Sequence, residues 1–191
     1  NHLEDASHRD ARILDEEDLP EDFAERNSAS FIGAYEAHEN GITGRGIKVG
    51  VIDTGIDYHH SMFGGDGSAR NYERNNPNRV ESGTFPAGNV VGGIDLVGAD
   101  SNGMSPDFDD HVPQADGDPL DAQGHGSHVA GSIAGRGDGE RSFDGVAPDA
   151  SLYAIKVFSD GGRGSTSDHV VIAGLESVSY THLRAHETPA N

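Results

Sequence analysis

Apolar residues in this chain come in short runs, separated by long polar stretches rich in glycine and aspartate. Ile47 to Asp53 is an Ile- and Val-rich run that follows the turn Gly44-Arg45-Gly46. Such a run predicts a buried parallel strand with Asp53 at its carboxyl end. Asn89 to Asp95 and Ser151 to Phe158 predict two further strands. His125 to Gly135 carries small residues on its packing side, with Gly135 and Gly137 as stop signals, and predicts a helix. Ser165 to Asp168 has capping-box spacing and opens another helix. Its apolar face is predicted at Val171, Leu175 and Val178, with Ile172 beside them. A short helix is predicted from Phe31 to Glu39, ended by Asn40-Gly41. The rest of residues 57–123 reads as loop, and a loop that long inside a domain is usually functional or an insertion.

Strands alternating with helices predict an α/β domain built on a parallel sheet with right-handed crossovers. Ligands of such sheets bind beyond the carboxyl ends of the strands. Asp53 is placed there, and His125, opening the helix after the long loop, is placed to reach the same crevice.

Composition narrows the function classes. With 191 residues there is room for one domain, or for part of a larger one. A net charge of −20, with Lys48 and Lys156 the only lysines, argues against nucleic-acid binding, because a phosphate backbone would be repelled. The acidic surface suits solubility, and fits a saline habitat, cation binding or ordinary solvated loops alike. The absence of cysteine excludes disulfides, a thiol nucleophile and thiolate metal sites. No apolar run approaches the roughly 20 residues of a membrane-spanning helix. Residues 1–30 are polar and acidic, with the cluster Asp15-Glu16-Glu17-Asp18, and read as a tail, a linker or the end of a pro-segment. The chain begins at Asn1, so the natural start, and any secretion signal, is expected upstream.

Two motifs carry the candidate chemistry. The first is Val49-Gly50-Val51-Ile52-Asp53-Thr54-Gly55-Ile56-Asp57, and the second is Gly124-His125-Gly126-Ser127-His128-Val129-Ala130-Gly131. A serine hydroxyl is a poor nucleophile until a base takes its proton, and histidine titrates in the right range to be that base. A buried carboxylate that accepts from its other ring nitrogen fixes the tautomer. Asp53 as orienter and His125 as base fit those roles. Asp57 is expected to support the loop, and His128 to pack beneath the site. His125 and His128 share a helix face and could hold zinc, but no His-Glu-x-x-His pattern is present. His182 and His186 also have ligand spacing. Gly44-x-Gly46 precedes a strand instead of following one, so it lacks the dinucleotide-binding context.

The two motifs, in this order, resemble the Asp and His blocks of subtilisin-like serine proteases (subtilases, peptidase family S8). The resemblance extends to Gly44–Val49 and to Gly145-Val146-Ala147-Pro148 followed by Leu152–Val157. Asp118-Pro119-Leu120-Asp121 is similar to bacterial members with a protease-associated domain insert. The resemblance implies a three-layer subtilisin-like α/β domain with a parallel sheet, incomplete at its C-terminal side. It also implies a secreted serine endopeptidase acting on polypeptides, with an Asp-His-Ser triad to which Asp53 and His125 contribute and with a pro-peptide as a further partner. The strand after Lys156 is expected to continue into a Gly-rich edge, Gly162-Arg163-Gly164, that pairs with substrate backbone. No cofactor is needed for the chemistry, but subtilases often carry structural calcium. The loop acids Asp95, Asp100, Asp107, Asp109, Asp110, Asp116, Asp118 and Asp121 are the candidates for holding it, although no EF-hand loop is present.

The chain departs from the family after Val178. The expected apolar strand, the oxyanion-hole asparagine and a Gly-Thr-Ser-Met-Ala helix start do not appear. Residues 31–178 are therefore read as a partial catalytic domain and residues 179–191 as an anomalous, non-native tail. Gly164-Ser165-Thr166-Ser167 superficially resembles the nucleophile motif, but a helix cap explains its serines better. The chain alone is expected to be inactive. The alternative is a non-catalytic peptide- or protein-binding pseudoprotease fragment.

Overall fold

The computed structural model describes residues 28–99, 101–102, 105–137, 143–160 and 165–183. Its centre is a parallel sheet of β1 (Lys48–Asp53), β2 (Val90–Asp95) and β3 (Ser151–Lys156), in the order β1-β3-β2. The register pairs Asp53 and Asp95 with Lys156, so all three strands end level. The helices are α1 (Ser28–Phe31), α2 (Ala34–Glu39), α3 (Ala69–Arg74), α4 (His125–Ala134) and α5 (Asp168–Leu183). Two short 3-10 turns, Ser61–Phe63 and Phe108–His111, punctuate the long loop.

Period-two alternation along the strands sorts side chains to the two faces of the sheet. Val51, Leu152 and Ala154 cluster with Ala130 and Ala134 of α4. Ile52, Tyr153 and Ile155 cluster with Val170, Val171 and Val178 of α5. The result is helix, sheet, helix: the three-layer α/β arrangement that the resemblance implied. Each fully buried Leu or Ile, such as Leu152 or Ile155, contributes about 1.5–3 kcal/mol of burial.

The structure corrects several local expectations. The helix predicted from Phe31 is two pieces, broken at Ile32-Gly33. Of the predicted face of α5, Val171 and Val178 pack against the core, but Leu175 and Ile172 are more than half exposed, while Val170 and Gly174 are buried. The helix lies too close to the sheet for a large side chain at the contact: a Cβ on Gly174 would stand 2.9 Å from Val157 Cγ1. Ser165 does not cap α5. Its hydroxyl lies 3.2 Å from that of Ser159, and the Ser167 carbonyl accepts the first helical bonds, from Val170 and Val171. The chain stays helical from Ser179 to Leu183, through the start of the segment read as a tail. Gly162, Arg163, Gly164 and His186 lie outside the described residues.

Candidate active site

Asp53 closes β1, and its side chain is 12% exposed. Its Oδ1 accepts the backbone N–H of Thr54 at 2.7 Å and the ring Nδ1 of His125, also at 2.7 Å. The two residues are 72 apart in sequence, and the fold brings them into contact as the motifs predicted. Because a carboxylate can only accept, Nδ1 carries the proton and Nε2 is the basic nitrogen of the neutral ring. The His125 side chain is 67% exposed, which leaves Nε2 open to a reacting group. Hydrogen bonding to Asp53, followed by the Asp53 charge, raises the His125 pKa above the ordinary histidine value.

The framework under this pair is a buried carboxylate to which the sequence reading gave no role beyond a place among the loop acids and in a family block. Asp121 is 2% exposed. Its Oδ1 accepts Thr54 Oγ1 at 2.9 Å, Gln123 N at 2.9 Å and Gly124 N at 2.8 Å. Its Oδ2 accepts Ser127 N at 2.8 Å and Ser127 Oγ at 2.7 Å. Gly124, the residue before α4, has no side chain to cap the helix, so Asp121 takes the free N–H of Ser127 in the first turn. Thr54 Oγ1 in turn accepts Gly126 N at 2.8 Å, and Asp57 N donates to Ser127 Oγ at 2.8 Å. An acid three residues before the glycine that opens a helix was the signal available for Asp121, and a hydroxyl directly after Asp53 was the signal for Thr54.

Asp57 supports the loop as expected, its Oδ1 accepting His59 N at 3.0 Å, and burial raises its pKa. His128 does not pack beneath the site. It is exposed and lines a cleft of about 550 Å³ with Asp57, His60, Tyr72, Ser127 and Phe143.

The close fit of α4 to β1 leaves no room for a side chain at Gly126, where a Cβ would stand 2.1 Å from the Gly55 carbonyl oxygen. Gly126→Ala is therefore expected to push α4 away and break the Asp53–His125 contact. The check is loss of the His125 ring resonance shift together with a lowered unfolding temperature.

A second buried group closes the sheet. Lys156 is 1% exposed, and its Nζ lies 2.7 Å from Asp160 Oδ1 and 3.5 Å from Asp95 Oδ2. It also donates to the Leu120 carbonyl at 3.0 Å, which ties the segment before Asp121 to β3. Burial raises the pKa of both Asp95 and Asp160, with Lys156 pulling the other way. Alongside, Asp118 accepts Tyr58 Oη at 2.8 Å and Asn75 Nδ2 at 2.6 Å. Burial and this carboxylate push the Tyr58 phenol upward.

The loop carboxylates do not form a cation cage in the part described. Asp95, Asp107, Asp116, Asp118 and Asp121 each turn an oxygen onto backbone N–H groups. Among the described residues no three His, Cys, Asp or Glu side chains converge as metal ligands. Asp100, another of the candidate ligands, lies outside the described residues.

Residues 44–186 match the subtilase family, peptidase S8. The chain is 36% identical over 151 residues to the minor extracellular protease Vpr of Bacillus subtilis, covering 78% of this chain and 14% of that protein. It is 33% identical over 147 residues to subtilisin BL of Lederbergia lenta, covering 77% of this chain and 38% of that protein. It is 31% identical over 145 residues to subtilisin DY of Bacillus licheniformis, covering 76% and 37%. The chain thus spans well under half the length of these relatives.

Proposed function

On the premise that this chain belongs to the subtilase family, we propose that it supplies the acid–base half of a secreted serine endopeptidase. The observation that carries the reading is the 2.7 Å contact from His125 Nδ1 to Asp53 Oδ1, with the other ring nitrogen left open. His125 takes the proton of a serine hydroxyl as the serine attacks the peptide carbonyl. The same proton then goes to the leaving amine, and water repeats the cycle on the acyl-enzyme. Asp53 holds the ring in the working tautomer and stabilises the imidazolium. It orients the base and does not itself transfer a proton.

The nucleophile comes from outside these 191 residues. No hydroxyl is hydrogen-bonded to His125 among the described residues; the Ser165 hydroxyl meets that of Ser159, and the Ser167 hydroxyl lies 3.2 Å from His169 Nε2. Gly162-Arg163-Gly164 is the proposed edge for substrate backbone, with extended polypeptide as the substrate class. A pro-peptide partner and structural calcium elsewhere in the protein are carried as family expectations. For location, no helix among the described residues is long and apolar enough to cross a membrane.

The test is hydrolysis of a chromogenic peptide amide. The complete gene product, read through the codon for Asn191 in the source DNA, is expected to turn over, and the 191-residue chain alone is not. In the complete enzyme, the acidic limb of kcat/KM should lie above the ordinary histidine value, because Asp53 favours the protonated ring and catalysis needs the neutral one. Turnover by the chain alone that disappears with His125→Ala would overturn the reading.

A further inference from the structure

The hydrogen bond between His125 and Asp53 joins a largely exposed ring to the end of a strand, and by itself such a contact does not fix a side chain. What holds the two partners in register is the backbone beneath them. The last residue of β1, Asp53, and the one after it, Thr54, receive adjacent residues at the start of α4, His125 and Gly126. Thr54 Oγ1 is the hinge of this double contact, accepting from Gly126 and donating to Asp121. The third tie, Asp57 N to Ser127 Oγ, passes its proton chain to Asp121 as well.

Resting on the reading of Asp53 and His125 as the acid–base pair, we propose that Asp121 is a positioning residue, setting the register of β1 against α4 on which their contact depends. Five donors converge on its two oxygens. A carboxylate can satisfy them all because it is acceptor on both sides, whereas a carboxamide would turn a donor towards either the Thr54 or the Ser127 hydrogen. Four of the five donors belong to the approach to α4 and its first turn, and an ordinary helix cap would need only those. The fifth, Thr54 Oγ1, comes from the residue that directly follows β1 and is what makes Asp121 more than a cap.

That fifth contact separates the two roles experimentally. In the full 191-residue chain with ¹⁵N-labelled histidine, the Nδ1 proton of His125 is expected as a low-field resonance, assigned by its loss in His125→Gln. Thr54→Val keeps the shape and all four contacts of Asp121 to the α4 side, but removes the bridge. It is expected to abolish the resonance while amide dispersion is retained, and Thr54→Ser, which restores the hydroxyl, is expected to keep it. Asp121→Asn is expected to abolish the resonance too, and decides the matter if Thr54→Val does not fold. A folded Thr54→Val that retains the resonance overturns the proposal and leaves the acid–base reading intact. Absence of the resonance from the parent chain overturns both.

Discussion

Replacing His125 with alanine in the complete enzyme is expected to abolish peptide turnover almost entirely, and Asp53→Asn to do so less completely. The scale comes from subtilisin, a measured member of this family, which loses about 2 × 10⁶ in kcat without its histidine and about 3 × 10⁴ without its aspartate. The order follows from the geometry here. Without His125 nothing in contact with Asp53 can take the serine proton. Without the Asp53 charge the base is still in place, but Nδ1 faces a group that can donate as well as accept, and the working tautomer is no longer enforced. Because the two residues act through one hydrogen bond, their effects should not add: the double variant should be no slower than His125→Ala by more than a few-fold. Measuring kcat for the two single variants and the double variant checks this, and additive losses would mean that the residues act separately.

Lys156→Met should be the most damaging change for stability. Its ammonium is buried against Asp95, which is fully buried, and Asp160, whose side chain is 18% exposed. Removing one partner of a buried ion pair leaves the other charge uncompensated, which costs about 3–5 kcal/mol. Burial already raises both carboxyls, so each is stabilised by protonation in the folded state. Stability from such a group is present below the ordinary carboxylate range and is lost as pH rises through the raised value. Without Lys156 the effect should sharpen. The gap in unfolding free energy between parent and variant should be widest at neutral pH and should close as pH falls and the two carboxyls take up protons. A gap independent of pH would show that the loss comes from packing and not from charge.

Much of this was legible from sequence because the relevant signals are local. Three short Ile/Val runs gave the three strands, and each run ends within one or two residues of where the strand does. The Asp and His motifs pointed to Asp53 and His125 as neighbours, and the two do meet, because α4 starts beside the carboxyl end of β1. What escaped has physical reasons. Helix α3, Ala69–Arg74, buries none of its residues, so it has no apolar stripe to read, and its start rests on Ser68 Oγ accepting Asn71 N at 3.2 Å. The predicted contact face of α5 holds at Val171 and Val178 but not at Leu175, because close helix–sheet approach selects Gly174 over Leu175. Asp121 and Thr54 escaped because their importance lies in a network joining residues 67 apart, which no spacing rule along the chain encodes.

The central claim is that this chain supplies the acid and base of the triad while another part of the protein supplies the nucleophile. Labelling the complete gene product with a fluorophosphonate, followed by peptide mapping, tests it most directly. The expected result is a single modified serine beyond residue 191, with labelling lost in His125→Ala. Modification of a serine within residues 1–191, or labelling unchanged by His125→Ala, would contradict the account.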